Sequence, residues 1–163
     1  MVGTRKFNEE EILNIVVDVF SRKGFNATTM LDLAKETGVQ RGSLYNAYQN
    51  KDIIFFKAFS HYTDNFLTFI EGELQNADAK KAFTQLFKTV VERLCSDKEA
   101  RGCFSTRAIM EAAQKCPDIH VCLTRFLDGL EVMMKNRLEQ AIKDQQFIGN
   151  AQSTARYLVS LTR

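Results

Sequence analysis

A single proline, Pro117, interrupts 163 residues, and along most of that length apolar side chains recur three and four positions apart. Proline lacks a backbone N–H and clashes with the preceding turn. A chain that nearly excludes it, and carries only eight glycines, is free to build long helices. An all-β design would need many turns, and the residues that make them are scarce. The runs have the helical period. Ile12, Val16, Val19 and Phe20 mark a first helix. Phe56, Phe59, Tyr62, Phe66 and Phe69 mark a long fourth one, and Phe83, Leu86, Phe87, Val90, Val91 and Leu94 a fifth. Ile119, Leu123, Phe126, Leu130, Met134, Leu138 and Ile142 carry a seventh. The expected fold class is all-α.

Caps sharpen the boundaries. Asn8 is placed to cap the first helix, with Glu11 reaching back in a capping box and Phe7 stapled on Ile12. Gly24 closes that helix as a C′ glycine. Thr29 caps a two-turn second helix, LDLAKET, with Asp32 at its positive end; Gly38 stops it. A short third helix runs from about Gln40 to Ala47. Asn50 then caps the fourth helix, which extends to about Leu74. SDKEARG is a loop, CFSTRAIMEAAQ a sixth helix, and Pro117 starts the seventh. QQFIGN is a loop, and Asn150 caps an eighth helix still running at Arg163. The chain contains no internal repeat.

Composition excludes several classes. Apolar residues are 45% and charged residues 26%, which argues against disorder. No apolar run approaches the ~20 residues of a membrane span, and the N-terminus has no signal-like apolar stretch. A cytoplasmic, non-membrane protein is expected, with its four cysteines reduced. Net charge is only +2, and up to Ala58 there are 8 basic and 7 acidic residues. Bulk charge therefore does not point to nucleic acid, and local placement has to.

That placement occurs at residues 28–52, T-T-M-L-D-L-A-K-E-T-G-V-Q-R-G-S-L-Y-N-A-Y-Q-N-K-D. Two short helices around a glycine turn have helix-turn-helix spacing. Leu33, Ala34, Val39 and Leu44 can hold them on the first helix, leaving polar side chains outward. Arg41 suits a guanine edge, Ser43 and Tyr45 suit phosphate or base, and Asn46 suits adenine or phosphate. Gly42 allows close approach, while Thr29 and Lys51 stand at helix N-termini, where phosphates are favoured.

This stretch, with its flanks from about residue 8 to residue 60, resembles the N-terminal signature of the TetR (tetracycline repressor) family of bacterial transcription regulators. Capping threonine, turn glycine, G-S-L-Y and N-K-D all fall in register. Gln40, where Ser or Thr is frequent, and Tyr48, where Phe is usual, are mild departures. Weaker resemblance continues through R-G-C-F, the seventh-helix pattern and A-R-Y-L. The resemblance implies a DNA-binding domain over 5–65, joined through helix 4 to a ligand-binding and dimerisation domain over 66–163. It implies a homodimer that binds a palindromic double-stranded operator and is released by a small-molecule effector. The family's DNA-contacting positions fall on Thr29, Arg41, Gly42, Ser43, Tyr45, Asn46 and Lys51. Family members typically add a helix after the eighth, so the ending YLVSLTR reads as a C-terminal truncation that puts the usual dimer interface in question.

Other features have two readings each. Phe66, Phe69, Phe104, Arg107, Met110, Phe126 and Met133 can line an effector pocket, although aromatic and methionine residues at helical spacing are more often plain core. Arg107 and Glu111, one turn apart, make either a surface pair or a polar ligand contact. Cys103, beside a glycine at a helix start, suits a thiol sensor. Cys116, His120 and Cys122 do not share a helix face, so no metal is expected. No catalytic constellation or cofactor motif is present, and no enzyme and no cofactor are expected. The alternative function is a helical small-molecule-binding or thiol-sensing protein without operator binding.

Overall fold

A computed structural model describes residues 8–96, 103–112, 116 and 118–161. They form eight helices: α1 Glu9–Ala27, α2 Met30–Thr37, α3 Arg41–Tyr48, α4 Lys51–Glu73, α5 Ala79–Ser96, α6 Phe104–Ala112, α7 Asp118–Lys143 and α8 Ala151–Ser160. There is no strand among the described residues, so the fold is all-α. The chain divides into two compact units, one of residues up to 62 with 107–120, the other of 63–106 with 121–163.

In the first unit, Val16, Val19 and Phe20 of α1 are fully buried, as are Leu33 of α2 and Ile54, Phe55, Ala58 and Phe59 of α4. Phe55 is the centre of an aromatic group. Its ring meets Phe20 edge-on at 4.7 Å and Phe25 at 4.8 Å, contacts worth about 0.5–1.5 kcal/mol each beyond the area they bury. Phe56, counted in the expected seam of the fourth helix, is only half-buried, and its neighbour Phe55 takes the core position. In the second unit, Ile70, Leu86, Phe126, Leu130, Met134 and Ala155 belong to one buried cluster drawn from α4, α5, α7 and α8. Its loops are sewn by polar bonds. Arg137 donates to the Asn76 and Ala77 carbonyls at 2.8 and 3.0 Å, and Gln146 accepts from the Ala79 amide at 2.8 Å.

Several ends differ from expectation. The Asn8 Oδ1 accepts from the Glu10 amide at 3.2 Å, one position earlier than the capping box with Glu11 requires. Gly24 sits inside the span of α1 with φ 80 and ψ 168, so it breaks the helix in a conformation other than the left-handed cap. Ile142 is 39% exposed while Ala141 is fully buried. With 3.6 residues per turn, the buried stripe Met134–Leu138 continues at Ala141. α8 spans Ala151–Ser160 with Leu161 as its cap, and Thr162 and Arg163, to which it was expected to run, lie outside the described residues. The expected Phe7 staple, the end of the sixth helix at Gln114, Pro117 and most of SDKEARG lie outside the described residues.

Candidate nucleic-acid interface

The site is built from the residues of α2, α3 and the turn between them. At the start of α2, the Thr29 hydroxyl accepts from the Asp32 amide at 3.1 Å while the Asp32 carboxylate accepts from the Thr29 amide at 2.9 Å. This reciprocal box satisfies two otherwise orphaned donors. Lys23 reaches the same carboxylate, and together with the Thr29 bonds it holds Asp32 far below the usual carboxylate range. At the other end Gly38 adopts φ 68, ψ 8, a left-handed turn that a side chain would strain although the space beside it is open. Thr37 steadies the turn, donating to the Leu33 carbonyl at 2.6 Å and accepting from the Val39 amide at 3.3 Å.

α3 leaves this turn with two side chains committed inward, Leu44 and Tyr48, which lie one turn apart and are 1% and 3% exposed. Arg41, Gly42, Ser43, Tyr45, Asn46 and Ala47 are all exposed. The eight-residue helix thus offers nearly its whole outer surface, anchored by two contacts and by Val39 before it. The Arg41 guanidinium lies over the Tyr45 ring at 5.4 Å, so the fork and the phenol form one stacked unit on that surface. Nothing lies within contact range of a Cβ built on Gly42, so glycine there is not demanded by the protein's own packing. Asn50 caps α4 through the Ile53 amide at 2.9 Å.

Two expected contact residues have other engagements. Thr29 spends its hydroxyl on the α2 cap. The Lys51 ammonium turns inward, donating to the carbonyls of Phe25 and Thr28 at 2.9 and 3.0 Å and lying 4.4 Å over the Phe25 ring. Its backbone stands at the start of α4.

The expected pocket residues are distributed over both units. Phe66, Phe69 and Met133 are half-buried against the buried cluster of the second unit, which contains Phe126, and the Phe66 and Phe126 rings meet at 5.8 Å. Phe104 is buried. Arg107 and Met110 belong to the first unit, where Met110 is 83% exposed. Arg107 donates to Glu111 at 2.8 Å and to the Ser21 carbonyl at 2.9 Å. Glu111 in turn accepts from the Asn26 amide at 3.3 Å. Burial pushes the Glu111 carboxyl up, but Arg107 and the backbone amides outweigh it and hold it low. The pair therefore does more than sit on the surface: it grips the end of α1. No local sequence signal marks a partner 85 residues away.

The Cys103 thiol meets the Ser105 hydroxyl at 2.8 Å at the start of α6; burial opposes ionisation, yet the Ser105 and Thr106 bonds prevail and lower its pKa. Cys116 points at the Asp52 carbonyl in the first unit, and Cys122 meets Thr63 in the second. Among the described residues no three His, Cys, Asp or Glu side chains gather as a metal site. Nor is any described helix long and apolar enough to cross a membrane.

Comparison with known proteins bears on this geometry. The family model described as "Bacterial regulatory proteins, tetR family" matches residues 12–58, which span α1 to α3 and the start of α4. The HTH-type transcriptional regulator YezE of Bacillus subtilis is 26% identical over 146 residues, covering 89% of this chain and 75% of its own length. IcaR of Staphylococcus epidermidis, a negative transcriptional regulator of the biofilm operon icaADBC, is 29% identical over 132 residues, covering 81% of this chain and 62% of its own length. Among solved structures, a cysteine mutant of the TetR family regulator CifR, complexed with 26-bp operator DNA, superposes with a TM-score of 0.77. It is 20% identical and the match covers 98% of this chain and 85% of that one. These three proteins are transcription regulators.

Proposed function

Since this chain belongs to the tetR family of bacterial regulatory proteins and is a transcriptional regulator with a DNA-binding helix-turn-helix, we propose that it is a repressor. It binds a palindromic operator as a homodimer and is released by a small-molecule effector. The observation that carries this reading is α3, whose outer surface is given over to Arg41, Ser43, Tyr45 and Asn46 while only Leu44 and Tyr48 turn inward. Such a helix needs little burial of its own and fits a major groove about 12 Å wide. The direction of control is supported by IcaR, a negative regulator. Residues 5–65 supply the DNA-binding domain and 66–163 the ligand-binding and dimerisation domain. Effector binding belongs to the second unit, around Phe66, Phe69, Phe126 and Met133, where soft and aromatic side chains converge. The Cys103 thiol is a second, thiol-based input to the same regulator.

Selection of duplexes from a random pool by the chain tests the reading. The expected product is an inverted repeat whose half-sites lie about one helical turn apart, or a multiple of it. Recovery of sequences without two-fold symmetry, or of no enriched sequence, would contradict it.

A further inference from the structure

Two large apolar side chains stand exposed on the described helix-turn-helix, Tyr45 at 38% and Leu31 at 63%. Tyr45 has a hydroxyl and is stacked with Arg41. Leu31 has neither a polar handle nor a packing role. It is the second residue of α2, between Met30, which is buried, and Asp32, which closes the helix cap. The cap and the burial of Met30 and Leu33 fix the backbone on both sides of Leu31, so this side chain is held outward on a rigid support.

A lone surface leucine is ordinary on most proteins, and helix propensity does not favour it over lysine or glutamine at an exposed position. Its place is what matters. In a helix-turn-helix the first helix crosses the DNA backbone next to the groove that the second helix enters. A leucine there can neither donate to nor accept from a base edge. The major groove offers one apolar handle, the C5-methyl group of thymine.

We propose that Leu31 reads thymine by apolar contact with its C5-methyl group, in addition to the hydrogen bonds made by residues of α3. The assignment rests on the operator-binding reading and adds a specificity residue outside the recognition helix.

The test uses the full chain and the duplex it selects. Each thymine is replaced in turn by deoxyuridine, which removes only the methyl group and keeps the base pair, and affinity is measured by fluorescence anisotropy. One position in each half-site should weaken wild-type binding about fourfold, the worth of one buried methyl-sized group. Leu31→Ala should bind the thymine and uracil duplexes equally at that position and should unfold at the wild-type temperature. Leu31→Gln, which preserves length and helix propensity, should behave in the same way and guards against a folding defect in the first variant. Wild-type indifference to every replacement would overturn the assignment. So would a variant that keeps the full methyl effect, which would move the contact to another side chain such as Tyr45. Failure of the chain to select any duplex would instead overturn the operator reading, and this assignment with it.

Discussion

Arg41 and Lys51 are both basic, both belong to the helix-turn-helix segment, and both match DNA-contacting positions of the family pattern, yet their side chains are used differently. The Arg41 guanidinium is on the outer surface of α3, whereas the Lys51 ammonium is spent on two backbone carbonyls at the end of α1. Hydrogen bonds to a charged group are worth about 1.5–3 kcal/mol. Lys51→Met, which retains the aliphatic stem, should therefore lower unfolding stability by about 1–3 kcal/mol. A lost phosphate contact would instead lower the slope of log affinity against log salt by about one. Urea unfolding and a salt titration on the selected duplex separate the two roles. An unchanged unfolding midpoint with a shallower slope would return Lys51 to the DNA-contacting set. The residue type was legible in the sequence, but its direction was not. The acceptors, Phe25 and Thr28, lie 26 and 23 residues earlier, and nothing in the local pattern announces a carbonyl in need of a donor.

Element boundaries followed the local rules well wherever the bonding is local. Thr29, Asn50 and Asn150 each cap the helix they were expected to cap, because a capping bond spans only two or three residues. The end of α1 follows a longer-range logic. Gly24 has φ 80 and ψ 168, and a Cβ there would overlap the Glu111 carboxylate that Arg107 and the Asn26 amide hold in place. The glycine is needed twice, for its backbone and for its missing side chain. Gly24→Ala should cost about 2–4 kcal/mol, part from the strained backbone and part from the displaced carboxylate. In a Glu111→Ala background the added cost should shrink to the backbone share, as a double-mutant cycle of unfolding free energies can measure. Equal costs in the two backgrounds would show that Glu111 does not crowd the site. A glycine near the end of a helical pattern was readable as a terminator, but its partner on α6 was not.

At the scale of the whole molecule the fold class was the most legible feature. One proline, few glycines and sustained three-four spacing leave little besides a helical protein, and the described residues have no strand. The distribution of the expected pocket residues was not legible, because periodicity reports which helix face is apolar and not which unit that face serves. Arg107 and Met110 share the sixth-helix pattern with Phe104 and yet belong with the first unit. Net charge was uninformative for a physical reason: a total of +2, from 22 basic and 20 acidic residues, says nothing of where the charges gather. On the proposed reading, base preference comes from the side chains that α3 exposes, together with Leu31 of α2. The most direct measurement is the affinity of wild type and Arg41→Ala for the selected duplex and for duplexes substituted at each base pair. Arg41→Ala should lose about 1–3 kcal/mol on the selected duplex and lose its preference at one base pair of each half-site. A variant that ranks every duplex as wild type does, with undiminished affinity, would contradict the assignment of α3 as the reading element.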